Sequence, residues 1–249
     1  MRVSTSSTPP QRSEEFIGRF IADRRNDYYL ATKMGRSQTG VPEGRHWSRQ
    51  AMVDSLDASL ARFGTDYVDV LQLHGPTVEE AETYDVLGSL QRIKTSGKAR
   101  FIGVSAVLPH LDTFVDWNVF DTFQIVYSAL EPEHEEAISK AVALGAGTII
   151  RGGSVKGAPL REAGRGNEFP VVRNRWVRSA LHELLGDVDI VQTLFRYALG
   201  HPSAHTFINR TQDLSHLKAN IEAVESGPLD ADLQAAIRER VIETVNAES

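Results

Sequence analysis

Lys33 ends the run YYLATK and His74 ends VDVLQLH, so two groups able to handle charge or protons each close an apolar, β-branched stretch. An ammonium lowers the pKa of a neighbouring acid, and an imidazole orients a carbonyl oxygen or moves a proton near neutral pH. Ser105 and Gln124 are expected at the ends of two further strands, drawn from the runs RFIGVS and DTFQIVY, and offer a hydroxyl and an amide to a ligand. Each also has a plainer reading, as a solvated strand-end charge, a satisfied loop histidine or a side chain capping nearby backbone. Lys33 as base and His74 as acid would equally suit a lyase or dehydratase. The chain has no cysteine, which removes thiol nucleophiles, disulfides and Cys-bound zinc. His201, His205 and His216 lack the i,i+4 or carboxylate-paired pattern of a metal site, so no metal is expected.

The elements that must position these groups alternate. The strand-like runs are 27–32, 67–74, 100–105, 121–127, 146–151 and 205–209, and helical periodicity fills 48–62, 79–95, 133–144, 213–224 and 230–245. Such alternation makes parallel βαβ units and an α/β fold. No G-x-G-x-x-G follows the first strand, and the glycines after Arg151 come late, which favours a (β/α)8 TIM barrel with its chemistry at the C-terminal strand ends. The stretch 152–166, rich in glycine, reads as a long surface loop. Arg173, Arg175 and Arg178 with Trp176 read as a helix with a solvated face and an inward aromatic. No composition shift divides the 249 residues, so a single domain over 1–249 is expected, with residues 1–12 an irregular tail. With 41% apolar and 24% charged residues, no apolar leader and no long apolar run, the expectation is a cytoplasmic protein bound neither to membrane nor, at net charge −6, to nucleic acid.

The segments YYLATKMG, SLARFGTDYVDVLQLHGP, GKARFIGVS, FDTFQIVYSALE and INRTQDLSHLKAN resemble, in order and spacing, the aldo-keto reductases over roughly 13–245. The resemblance implies a barrel and an NADPH-dependent oxidoreductase acting on a small carbonyl or alcohol substrate. It gives Lys33 and His74 the places of the family's catalytic lysine and histidine, and Ser105 and Gln124 those of the nicotinamide carboxamide ligands. It places Arg151 at the side chain stacked on the nicotinamide, Arg210 and Thr211 at the 2′-phosphate, and Asn220 at the adenine. Trp47, Trp117 and the 152–166 loop are the expected walls of the substrate pocket.

Two departures matter. Counting back from Ser13-Glu14-Glu15 puts Pro10 at the family's catalytic tyrosine and Thr5 at its aspartate, and Ala106 replaces the asparagine of the family's "SN" pair. None of Tyr28, Tyr29, Tyr67, Tyr84, Tyr127 or Tyr197 is placed to substitute, because they begin strands, lie on helices or, for Tyr127, face the other side of the sheet. The family's first two strands also have no counterpart. The expected architecture is therefore an incomplete barrel of about six parallel strands, with a homo-oligomer covering its edges. Against the reductase stands a catalytically inactive NADPH-binding pseudoenzyme or scaffold.

Overall fold

The computed structural model describes residues 3–5, 10–35, 45–155 and 170–248, in two compact units: 1–124 with 140–147, and 125–139 with 148–249. In the first unit the elements are β1 (Val3–Thr5), α1 (Pro10–Ile21), β2 (Tyr29–Met34), α2 (Arg49–Phe63), β3 (Val68–His74), α3 (Val78–Thr83), α4 (Val86–Thr95), β4 (Ala99–Ser105), α5 (His110–Asp116) and the first half of β5 (Thr122–Val126). Strands β1 to β5 pair in chain order and all in parallel, as βα units require. The six strands read from the sequence are present within about two residues of their expected ends.

The amino terminus departs from expectation. Val3–Thr5 is a strand in register with Tyr29–Ala31, and α1 begins at Pro10, where an irregular tail was expected. The physical reason is the open edge of β2, whose backbone groups gain partners from any extended neighbour, polar side chains or not.

One face of this sheet is covered by helices. Leu30, Leu71, Leu73, Val104 and Phe123 alternate onto it and are buried. Glu14, 1% exposed, ties three elements together there, accepting from Thr32 Oγ1 on β2 (2.8 Å) and from Arg62 Nε on α2 (2.7 Å). Helix α2 is delimited by its own residues: Ser48 Oγ accepts from the Ala51 N–H, and Gly64, at φ 68°, closes it. Between them Met52, Leu56, Leu60 and Phe63 form the buried stripe.

The periodicity over 79–95 does not give one helix. Thr77 and Glu80 form a reciprocal capping box at the start of α3, and the chain then turns through Asp85 in the left-handed region (φ 47°) before α4. Asp85 folds its carboxylate over Gly88, where a Cβ would come within 2.4 Å of it.

The second unit holds the rest of β5, the first part of α6 (Glu135–Ala143), then β6 (Gly147–Arg151), α7 (Pro170–Arg178), α8 (Leu181–Leu185), α9 (Ile190–Leu199), β7 (Thr206–Ile208), α10 (Leu214–Ser226) and α11 (Ala231–Asn246). Strand β7 pairs in parallel with β6, from Ile149↔Thr206 to Arg151↔Ile208. Asp213 and Asp230 cap α10 and α11, and Ile237 and Val241 are buried on the last helix. Trp176 packs inward as expected, but Arg175 is buried too rather than solvated, because two carboxylates and a carbonyl meet its guanidinium. Among the described residues, no helix is long and apolar enough to cross a membrane.

Candidate active site

In the first unit the parallel register sets the predicted residues in two rows on the face away from the helices. His74 pairs with Ser105, and Ser105 with Gln124, so all three stand side by side on β3, β4 and β5. One step below, Lys33 pairs with Gln72, Gln72 with Gly103, and Gly103 with Thr122. Since side chains alternate, Lys33, His74, Ser105 and Gln124 share one face near the C-terminal strand ends. Lys33 and His74 are half-buried, whereas Ser105 and Gln124 are buried.

Gln124 donates from Nε2 to Ser105 Oγ over a long 3.4 Å, while its Oε1 is buried without any partner. A buried amide oxygen without a donor is costly. A primary carboxamide arriving beside it would supply an N–H to Gln124 Oε1 and accept from the Ser105 hydroxyl. The row therefore fits the nicotinamide end of the expected cofactor. Ala106 follows Ser105, so an asparagine amide contributes nothing at that position.

Trp47 is buried beside the end of β2. Its ring packs against Gly35, just past β2, so tightly that a Cβ on Gly35 would lie 1.9 Å from ring atoms. Gly35 sits at φ 89°, so both space and backbone conformation demand glycine. Trp117 does not line the site. It follows α5 on the way into the N-terminal end of β5 and packs edge-on against Phe114, because the turn Asn118–Asp121 lies between it and the strand. Most of the 152–166 loop lies outside the described residues.

The amino-terminal register places Thr5 opposite Ala31, at the end of β1, and Pro10 at the first position of α1. Tyr28, Tyr29 and Tyr67 stand at the opposite strand ends from His74. Arg25 spreads its guanidinium 4.1 Å from the Tyr67 ring centroid and 5.5 Å from that of Tyr28.

The second unit holds the other predicted residues. Arg151 ends β6 half-buried, and its carbonyl accepts from the Tyr127 N–H (3.1 Å). Burial lowers the Arg151 pKa, and the Glu131 charge opposes that shift. Arg210 is exposed directly after β7. Thr211 Oγ1 accepts from the Asp213 N–H (3.1 Å) and donates to its carbonyl, forming the turn into α10. The Asp213 carboxylate, its pKa lowered by hydrogen bonds from the Ser215 hydroxyl and N–H, already caps that helix. Arg210 is thus the cation that a phosphate at this turn would meet, and Asn220 lies half-buried further along α10.

Tyr127 turns away from the Gln124 face, as the alternation requires. It is 2% exposed, donates to Glu135 Oε1 (3.1 Å), and packs with Tyr197 and edge-on with His201. Burial, then the neighbouring Tyr197 and Glu135, raise its pKa, while Tyr197 is pushed up to about 12, chiefly by burial. Neither phenol is a ready acid near neutral pH. Two residues were not singled out from the sequence, Gln72 and Thr122. The available signal was a polar residue at position −2 from His74 and from Gln124, which alternation puts on the same face.

Comparison with known proteins identifies the family and the fold. The Aldo/keto reductase family model matches residues 9–242. An uncharacterized oxidoreductase of Bacillus subtilis, YqkF, is 26% identical over 230 residues, covering 86% of this chain and 74% of that protein. The aldo-keto reductase YhdN of the same organism is 34% identical over 152 residues, 57% of this chain and 45% of its own. The L-galactose dehydrogenase of Arabidopsis thaliana is 36% identical over 108 residues and is matched over 33% of its length. Among solved structures, the holo form of aldo-keto reductase AKR11C1 from Bacillus halodurans superposes with a TM-score of 0.78 at 23% identity, over 96% of this chain and 81% of that one. That likeness shows the fold, an incomplete (β/α)8 barrel, and the family model running through both units shows the descent: the chain belongs to the aldo/keto reductase family.

Proposed function

We propose that this chain is an NADPH-dependent oxidoreductase that interconverts a small carbonyl compound and its alcohol. The observation that carries the reading is the unpartnered, buried Gln124 Oε1 beside Ser105, in one row with His74 and one step above Lys33. Bound there, a reduced nicotinamide would supply a hydride. His74 would donate a hydrogen bond to the substrate carbonyl, the Lys33 ammonium would stabilise the negative charge developing on that oxygen, and water would supply the proton that completes the alcohol. Arg210, with its planar fork, favours a cofactor bearing a 2′-phosphate. The family model running across both units supports treating them as one domain.

Thr5 and Pro10 favour a second reading, in which the cofactor binds but turnover is lost. General acid catalysis typically contributes about 10²–10⁴-fold, which Lys33 and His74 would have to make up. Titration of the purified chain with NADPH and with NADH, followed by nicotinamide fluorescence, tests both. Gln124→Leu should weaken both cofactors, and Arg210→Ala should weaken NADPH alone by about tenfold. Binding without carbonyl turnover would establish the second reading. Absence of binding up to millimolar cofactor would overturn both.

We also propose that the chain self-associates. Edge strand β1 is only three residues long, and the exposed, mutually stacked Phe16 and Phe20 stand on the adjoining α1.

A further inference from the structure

Gln72 is fully buried, yet neither its Oε1 nor its Nε2 has a hydrogen-bond partner. Thr122 Oγ1 is buried and unpartnered as well. These atoms stand in one register row, Gln72 on β3 and Thr122 on β5, with Gly103 of β4 between them. Gly103 is what opens the space: a Cβ there would lie 2.2 Å from Thr122 Oγ1, so the hydroxyl leans over the glycine towards β3. Leaving three polar atoms desolvated in this way costs about 1–3 kcal/mol each unless something bonds them.

We propose that Gln72, Gly103 and Thr122 form a seat for one buried water molecule, beneath the His74–Ser105–Gln124 row. The dimensions suit it. Adjacent strands are about 4.8 Å apart, so a hydroxyl lying over β4 is roughly one strand spacing from β3. A water held about 2.8 Å from each partner spans that gap. Buried waters make about three hydrogen bonds, and this row presents an amide oxygen, an amide nitrogen and a hydroxyl. Gln124 Oε1, one step above, remains for the cofactor carboxamide. Lys33 is the register neighbour of Gln72 on β2. The inference depends on the row's geometry and not on the reductase reading, so the two can fail separately.

A crystal structure of the full chain at better than about 1.8 Å tests the seat directly. A peak within hydrogen-bonding distance of the Gln72 amide and Thr122 Oγ1 is expected. An empty or apolar-filled gap, or a direct Gln72–Thr122 hydrogen bond, would overturn it. A thermal double-mutant cycle tests it independently. Gln72→Met and Thr122→Val should each lower Tm by about 3–6 °C, and the double variant should lose clearly less than their sum, because it removes every group the water served. Thr122→Ser, which keeps the hydroxyl, should retain the coupling. Strictly additive losses would count against the seat. If the variants do not fold, water-to-amide magnetisation transfer at Gln72 in the unmodified chain gives the answer, and absence of a long-lived water signal rejects the proposal.

Discussion

At Asp69, three groups converge on one carboxylate at the N-terminal end of the first unit's sheet. Its side chain is 2% exposed and accepts from Arg25 (2.7 Å), Arg100 (2.9 Å) and the Leu30 N–H (2.8 Å). Burial opposes its ionisation, but the Leu30 N–H and the two guanidiniums outweigh it, and the pKa falls below the ordinary 3.8. The sign follows from linkage: the charged form is favoured more in the folded than in the unfolded chain. The stabilisation is therefore complete above 3.8 and lost as pH falls through the lower folded value. Asp69→Ala strands Arg25 in a buried setting and orphans the Leu30 N–H, so it should destabilise by about 3–5 kcal/mol. Urea midpoints from neutral pH to about pH 2 should show a constant gap between Asp69→Asn and the unmodified chain, closing only below the ordinary carboxylate value. A gap that is constant through acid would mean that the charge contributes nothing.

Helix α7 is tied to its unit by a buried guanidinium. Arg175, 6% exposed, does this: it donates to the Leu130 carbonyl (2.9 Å) and to Glu248 Oε2 (3.0 Å), and pairs with Glu133. Burial opposes the charge, yet pairing with Glu133 and Glu248 raises the Arg175 pKa. Truncation by Arg175→Ala should cost about 3 kcal/mol. Arg175→Lys should recover less than half of that, because an ammonium cannot serve three acceptors spread round a planar fork. Equal stability of the Lys variant in urea unfolding would show that charge alone matters. The same residue marks where sequence reading stops. Strands β2 to β7 were legible because β-branched runs between helical periods are a local signal, and so were Lys33, His74 and Ser105 at or next to their ends, whereas Gln124, expected at a strand end, stands in the middle of β5. The partners of Arg175 are 42 and 73 positions away, and no local pattern announces them. The break at Asp85 depends on a side chain folding over Gly88, and β1 depends on the open edge of β2, both consequences of contact rather than of period.

For the molecule as a whole, the question is what an incomplete barrel does with its edges. A closed barrel satisfies every strand on both sides, whereas among the described residues β1 (Val3–Thr5) pairs on one side only, with β2. Helix α1 also exposes Phe16 (58%) and Phe20 (62%), more apolar surface than a helix normally leaves in water. Self-association would cover both, and a two-fold contact is the commonest way for identical chains to do so. Light scattering at about 50 μM should give a mass near twice 27.5 kDa, falling towards the single-chain value on dilution. Phe16→Glu with Phe20→Lys should shift the population to the single chain while leaving the fold intact, since both side chains are exposed and a helix tolerates either substitution. A mass of 27.5 kDa at every concentration would show that the edge is stable in water, and would assign any activity to the single chain.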